Sequence, residues 1–359
     1  MARIYNFSAG PCTLPVEVLE QARDRFVDFE GEGMSLIEMS HRSKTVVAVH
    51  EKALALVREL LAVPESHHVL FLGGGATLQF GMIPANLLRD GAHADYTHSG
   101  AWAKKAIGDA KALGKVNVIW DGADASYTAL PDPSSIQSTD GAAYLHLTSN
   151  ETIGGIQWKT FPKTEAPLVA DMSSDIFSRP VDWSPFGIVY AGAQKNIGPA
   201  GLSLVILRKD LLARCPQDMP LYLNYHKHVD ADSMLNTPPV FQIWMVSLVL
   251  ELLKGKGGVA WAEQMAEARS KLLYDTIEAL GDFYRCPVDA AVRSPMNVVF
   301  RLPSEDLEAR FVAEAAEAGM NGLKGHRSVG GCRASIYNAM PIEGAEALRQ
   351  FMMDFARKN

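Results

Sequence analysis

Short apolar runs separated by helical patterns are the feature that most constrains the fold of this chain. Runs of this kind, bounded by turn residues, are typical of strands buried on both faces. They lie at residues 69–72, 116–120, 143–147, 168–170, 187–191 and 202–207. Helical or loop segments lie between them, which is typical of a mainly parallel sheet covered by helices. We therefore predict an α/β fold.

The pattern changes after the segment Lys-Gly-Lys-Gly-Gly at residues 254–258, which we interpret as a hinge. Beyond it, three helical patterns alternate with two short strand patterns, at residues 259–280, 298–302, 307–318, 334–337 and 343–357. This order is typical of a smaller α+β unit. We predict a large domain of residues 16–256 and a small domain formed by residues 257–359 together with 1–15.

Charge and cysteine content exclude several classes of protein. The net charge of −7 and the lack of a basic run argue against nucleic-acid binding. No stretch of about 18 apolar residues is present, so we expect no membrane span. The four cysteines are scattered without a CxxC pair, which favours reduced thiols over disulfides or a zinc site, and the first residues lack an apolar signal core. These features favour a cytoplasmic protein without a metal.

Lys195 lies between the apolar runs 187–191 and 202–207, in a segment with almost no other charge. Burying a lysine is costly, and desolvation lowers its pKa and leaves a nucleophilic amine suited to Schiff-base chemistry. A lysine that bends out to water is the alternative.

Asp171 ends the run 168–170, twenty-four residues before Lys195. A carboxylate at the carboxyl end of a strand faces the crevice where α/β sheets hold ligands. Paired with a lysine Schiff base, it suits pyridoxal 5′-phosphate (PLP), because it keeps the pyridine nitrogen charged. The alternative is a helix N-cap.

Three further segments fit a bound PLP. Residues 73–77, Gly-Gly-Gly-Ala-Thr, follow a strand and precede a helical pattern, which is an arrangement that cradles phosphate, or else only a tight turn. Trp102 has the planar ring to stack on the cofactor, or it belongs to the core. Thr152 has a hydroxyl for the cofactor's phenolic oxygen, or it belongs to a turn.

Two basic segments predict an anionic substrate. One is His41-Arg42, and the other is the glycine-rich stretch 324–333, which contains His326, Arg327 and Arg333. Arginine grips carboxylate and phosphate in a bidentate manner, so a substrate with two such groups would need several of these residues. The alternative is a set of solvated surface charges.

Taken together, these motifs resemble the class V aminotransferases, PLP-dependent enzymes of fold type I. The resemblance covers the whole chain and is most specific at residues 40–42, 150–153, 190–196, 236–239 and 324–327. It implies a homodimer with a large PLP-binding domain and a smaller C-terminal domain that carries substrate-binding arginines.

The resemblance also implies a role for each site residue. Lys195 would carry the cofactor and move the proton, Asp171 would pair with the pyridine nitrogen, and Trp102 and Thr152 would contact the ring. The cofactor phosphate would be held by Gly75, Ala76, Thr77 and Gln194, completed by Asn236 and Thr237 of the other subunit. Arg333 would grip the substrate α-carboxylate. The second acidic group would be bound by His41, Arg42, His326 and Arg327.

The activity implied is amino transfer between glutamate and 3-phosphohydroxypyruvate in serine biosynthesis, with a phosphorylated hydroxythreonine precursor as a second substrate. The chain departs from some members of the family at Ala76-Thr77, where those members carry a substrate-binding arginine. Three rivals remain. One is a transaminase that uses alanine or serine with glyoxylate, the second is a cysteine desulfurase acting through Cys332, and the third is a PLP-binding protein without activity.

Overall fold

A computed structural model describes residues 3–359, and this part of the chain contains thirteen strands. In chain order they are β1 (Tyr5–Asn6), β2 (His67–Gly73), β3 (His93–His98), β4 (Lys115–Asp121), β5 (Leu145–Thr148), β6 (Asn150–Glu151), β7 (Ile156–Gln157), β8 (Leu168–Asp171), β9 (Phe186–Gly192), β10 (Leu202–Arg208), β11 (Asn297–Phe300), β12 (Met320–Asn321) and β13 (Cys332–Ser335). Each of the apolar runs predicted as strands supplies a strand of the large sheet.

Eleven α-helices lie in the same described range. They are α1 (Val16–Asp24), α2 (Lys44–Leu60), α3 (Gly75–Leu87), α4 (Ala101–Lys111), α5 (Ala193–Asn196), α6 (Lys209–Leu212), α7 (Tyr225–Asp230), α8 (Val240–Gly255), α9 (Gly258–Ala279), α10 (Glu305–Glu317) and α11 (Ile342–Lys358). None of the helices between residues 3 and 359 has both the length and the apolar character needed to cross a bilayer.

The large sheet has seven strands in the order β2-β10-β9-β8-β5-β3-β4. β10 runs antiparallel to both of its neighbours, and all other neighbouring pairs are parallel. The prediction of a mainly parallel sheet is therefore confirmed. The carboxyl ends of β8 and β9 lie side by side at one edge, and Asp171 pairs in register with Tyr190.

Helices cover both faces of this sheet, which explains the continuous apolar character of β2, β8, β9 and β10. Successive residues of one strand enter different cores. Phe71 packs with α2 and α8 on one face, whereas Leu70 and Leu72 pack with α3 and α4 on the other. In the same way, Leu204 and Val205 of β10 face opposite sides. The α/β architecture predicted from the sequence is confirmed.

The strand β3 was not predicted, because its sequence His-Ala-Asp-Tyr-Thr-His contains no apolar run. Its buried polar side chains form hydrogen bonds with other parts of the chain. Asp95 accepts hydrogen bonds from Asn117 at 3.0 Å and from the backbone amide of Thr139 at 2.6 Å. The phenol of Tyr96 shares a 2.8 Å hydrogen bond with that of Tyr144. Tertiary hydrogen bonding thus stabilises a strand that the hydrophobic pattern does not reveal.

The C-terminal part of the chain has its own apolar core, which is built from α9, β11, α10, β13 and α11 and includes Phe7 from the amino-terminal segment. β1 pairs in parallel with β12, so the first residues join this part of the molecule. The predicted hinge is a tight connection in which α8 ends at Gly255 and α9 begins at Gly258, after Gly257 at φ 113°. The predicted domain boundaries remain a prediction.

Candidate active site

Lys195 lies on α5, a single helical turn at the carboxyl end of β9, rather than in an irregular loop. Only 9% of the residue is exposed. The turn is closely packed, since a Cβ atom on Gly192 would lie 2.7 Å from Oε1 of Gln194. The alternative of a lysine bent out to water is therefore wrong.

The amine of Lys195 is held by two neighbours. Nζ donates a hydrogen bond to Oγ1 of Thr152 at 2.7 Å and lies 5.0 Å from the centre of the Trp102 ring. Burial lowers the pKa of Lys195, and it outweighs the opposite effect of the nearby Asp171 and Glu151 carboxylates. A lowered pKa leaves more of the amine unprotonated and nucleophilic.

Asp171 is the last residue of β8, on the strand next to β9. Its Oδ1 accepts hydrogen bonds from the backbone amide and the hydroxyl of Ser173, at 2.9 and 2.6 Å, while Oδ2 has no hydrogen-bond partner among residues 3–359. Burial raises the pKa of Asp171 against the lowering effect of Lys195. Sequence reasoning missed Ser173, although the Asp-x-Ser spacing signals such a turn.

Lys195, Thr152, Trp102 and Asp171 form a group that we call the Lys195 cluster. Arg333 lies on β13 and is hydrogen-bonded to this cluster. Its Nη1 donates to the backbone oxygen of Thr152 at 3.4 Å, and its Nε has no partner in the described part of the chain. Arg333 and His326 line a cleft of about 500 Å³. Burial, and then the charges of Arg333, Arg327 and Lys105, lower the pKa of His326. The structure thus brings Arg333 and His326 together, with Arg327 exposed nearby.

The glycines at residues 73–75 lead directly into α3, which begins three residues earlier than the predicted helix. Gly74 and Gly75 adopt φ angles of 96° and 68°, which other residues rarely adopt. Ala76 and Thr77 occupy the first turn and are at least partly accessible. The amides of this turn have no intrahelical acceptors and favour an anion. Gln194 lies on α5, and its Oε1 is buried without a partner in residues 3–359.

Several predicted site residues make no hydrogen bond to Lys195, Thr152, Asp171 or Arg333 within the described chain, among them Asn236, Thr237, His41, Arg42, His326 and Arg327. Asn236 and Thr237 are exposed between α7 and α8, where the Asn236 side chain donates only to the Thr237 carbonyl, at 3.1 Å. Arg42 is exposed and His41 half-buried just before α2. Hydrogen bonds within residues 3–359 therefore do not join all the predicted residues.

The residues that do converge fit PLP. A helix amino terminus preceded by glycines offers amides to a phosphate, and the free oxygen of Asp171 offers an acceptor to a pyridine N–H. Trp102 offers a ring face beside the lysine amine. Polar atoms of Trp102 and Arg333 are also buried without partners inside residues 3–359, as is expected of a site shaped for a polar ligand.

This fold and this site define a PLP-dependent transferase with a lysine at its centre. The class V aminotransferase model matches residues 4–348, and the chain belongs to this family. Its members depend on PLP, which confirms the predicted cofactor.

Within the family, the chain is 53% identical to phosphoserine aminotransferase of Laribacter hongkongensis, with 99% of each chain covered. It is similar to the structure of phosphoserine aminotransferase from Bacillus circulans subsp. alkalophilus, with a TM-score of 0.97, 51% identity and 99% of each chain covered. It is also similar to a structure of phosphoserine aminotransferase that concerns radiation damage of the Schiff base, with a TM-score of 0.98, 46% identity and 100% of each chain covered.

Proposed function

We propose that this protein transfers the amino group of glutamate to 3-phosphohydroxypyruvate, forming 2-oxoglutarate and O-phospho-L-serine, and that it also catalyses the reverse reaction. The observation that carries the proposal is the convergence of Lys195, Thr152, Trp102 and Asp171 at the sheet edge. Phosphoserine aminotransferases about 50% identical over the full chain support the choice of substrates.

Lys195 is the proposed proton carrier. Bound PLP supplies an electron sink for the carbanion that forms when the substrate loses its α-proton. The Nζ atom of Lys195 would take that proton from the substrate Cα and deliver it to C4′ of the cofactor, and the hydrogen bond to Thr152 Oγ1 directs the amine. The free oxygen of Asp171 would accept a hydrogen bond from the pyridine N–H and favour its charged form.

Substrate binding is assigned to the basic residues. Arg333, anchored on the Thr152 carbonyl, binds the α-carboxylate. His41, Arg42, His326 and Arg327 bind the phosphate of one substrate and the side-chain carboxylate of the other. Two anion-binding groups suit this substrate pair better than alanine or glyoxylate, which carry a single carboxylate.

The cysteine desulfurase alternative is disfavoured by the position of Cys332. This thiol is buried on β13, with only 1% of the residue exposed, and burial raises its pKa to about 12. Desulfurases need an accessible thiolate on a mobile loop, which a thiol with such a pKa inside a strand does not supply.

A substrate panel tests the proposal. Glutamate-dependent amination of 3-phosphohydroxypyruvate should exceed that of pyruvate and glyoxylate, and Lys195→Ala should lower turnover by at least about a thousandfold. The same panel with the phosphorylated hydroxythreonine precursor measures the second proposed substrate. Preference for glyoxylate, or full turnovers by the Lys195→Ala protein, would refute the assignment.

A further inference from the structure

Glu151 is a buried acid of the site to which the reaction assigns no role. It is the last residue of β6, directly before Thr152, and only 1% of it is exposed. Within residues 3–359 it has no ion pair, whereas the buried Glu308 pairs with Arg301 at 2.7 Å. Burial raises the pKa of Glu151 to about 7, so its negative charge is expensive. An acid held at such a cost calls for a functional reason.

The carboxylate of Glu151 binds the amino-terminal turn of α4. Oε1 accepts a hydrogen bond from the backbone amide of Ala103 at 2.9 Å, and Oε2 accepts one from the amide of Trp102 at 3.3 Å. Gly100 allows this approach, because a Cβ atom there would lie 2.8 Å from Cδ of Glu151. The carboxylate thus grips the backbone that carries the Trp102 indole.

The same segment also holds the lysine. Thr152, the next residue, accepts the 2.7 Å hydrogen bond from Nζ of Lys195. Glu151 and Thr152 therefore connect the ring-stacking tryptophan to the amine through three hydrogen bonds. The charged groups that act on Glu151 are Asp171 and Lys195, both of them on the cofactor side.

We propose that Glu151 is a positioning residue that sets the distance and angle of the Trp102 indole relative to Lys195, and thereby the orientation of the bound cofactor ring. This inference rests on the proposed function only in taking the ring to be that of PLP. A hydroxyl or amide side chain would cap a helix more cheaply than a buried carboxylate. The carboxylate has two acceptor oxygens, and both amides are bound, which fixes the first turn of α4 more rigidly than a single bond would.

The test uses the purified PLP-loaded enzyme with Glu151→Gln and Glu151→Ala. Gln keeps one acceptor oxygen but presents an NH₂ group to the second amide, and Ala keeps no acceptor. We expect PLP to bind about tenfold more weakly in Glu151→Gln, and more weakly still in Glu151→Ala. The visible circular dichroism that the protein induces in bound PLP should fall in the same order, because the ring loses its fixed orientation.

Ser304→Ala is the matched control, since Ser304 caps α10 by accepting from the amide of Leu307 at 3.2 Å, and α10 lies in the C-terminal core. It should lower the unfolding temperature of the PLP-free protein and leave both PLP readouts unchanged. If Glu151→Gln behaves like Ser304→Ala, with PLP affinity within twofold of native and unchanged dichroism, the carboxylate only caps a helix and the inference is wrong.

A failure of this inference can be distinguished from a failure of the proposed function, which the substrate panel tests. Loss of PLP affinity and dichroism in a protein that prefers another 2-oxo acid would support the inference while refuting the proposed substrate. If Glu151→Ala does not fold, Glu151→Gln alone decides, because an amide of nearly the same volume leaves the packing around β6 in place.

Discussion

At the scale of single residues, the site contains a buried amine and a buried carboxylate whose desolvation is only partly compensated by their opposite charges. Lys195 has a lowered pKa and Asp171 a raised one, in both cases because desolvation is the largest contribution. Each charge partly offsets the shift that burial causes in the pKa of the other. Residues in this condition are typical of functional sites rather than of stabilising ion pairs.

Asp171→Asn tests the proposed role of the carboxylate. The amide cannot stabilise a charged pyridine nitrogen, so we expect kcat/KM for the glutamate reaction to fall by about a hundredfold or more. Steady-state kinetics at saturating PLP measure the effect.

Asp182→Asn is the control, since Asp182 also accepts from the amide two residues ahead, at 3.0 Å, but is solvent-exposed. It should leave kcat/KM unchanged. A value for Asp171→Asn within threefold of native would contradict the assigned role.

At the scale of elements, a short hairpin formed by β6 and β7 carries both Thr152 and Glu151. The hairpin is seated on the C-terminal part of the chain, since the Gly155 carbonyl accepts a hydrogen bond from the backbone amide of Ser294 at 2.8 Å. A Cβ atom on Gly155 would lie 2.8 Å from Val299 and 2.9 Å from the carbonyl of Asn297. The distance between this hairpin and β11 is therefore set by the absence of a side chain.

Gly155→Ala should push the hairpin away from β11. Gly155 has a φ angle of 72°, so the substitution adds backbone strain to the contact, and we expect a loss of about 2–4 kcal/mol in unfolding free energy. PLP affinity should also fall, because Thr152 moves with the hairpin. Urea unfolding and PLP titration measure the two effects.

Gly141→Ala is the control that distinguishes backbone strain from steric contact with a neighbouring strand. Gly141 has a similar φ angle of 74°, but a Cβ atom there would have no neighbour within 4 Å. It should lose only about 1–2 kcal/mol and keep native PLP affinity. Equal losses in the two variants would show that the contact with β11 does not matter.

At the scale of the whole molecule, the hydrogen bonds of residues 3–359 do not join every residue of the predicted site. Asn236 and Thr237 are exposed and are joined to no residue of the Lys195 cluster by a hydrogen bond within residues 3–359. The exposure of this polar pair fits the prediction, drawn from the family resemblance, that it completes the site of the other subunit in a homodimer. In that arrangement each active site depends on both chains.

Mixing two inactive variants tests this dependence. Lys195→Ala lacks the amine, and the double variant Asn236→Ala/Thr237→Ala lacks the phosphate contacts. If the pair acts across subunits, unfolding and refolding an equal mixture should restore up to about one quarter of native activity, because half of the dimers are hybrids with one intact site.

Light scattering gives the mass of each species and serves as the control for assembly. Mixed samples that form dimers without recovering activity would place Asn236 and Thr237 in the site of their own chain. A monomeric mass would exclude the shared site altogether.

Hydrophobic patterning by itself predicted six of the seven strands of the large sheet, because most of these strands are buried on both faces and therefore form apolar runs. It also determined the positions of Lys195 and Asp171 at strand ends, since an isolated charge after an apolar run has few places to lie. Only the tertiary structure decided that β3 is a strand and that Glu151 holds Trp102. Both depend on hydrogen bonds between residues distant in sequence, and these bonds, which no local pattern encodes, are what allow polar groups to be buried.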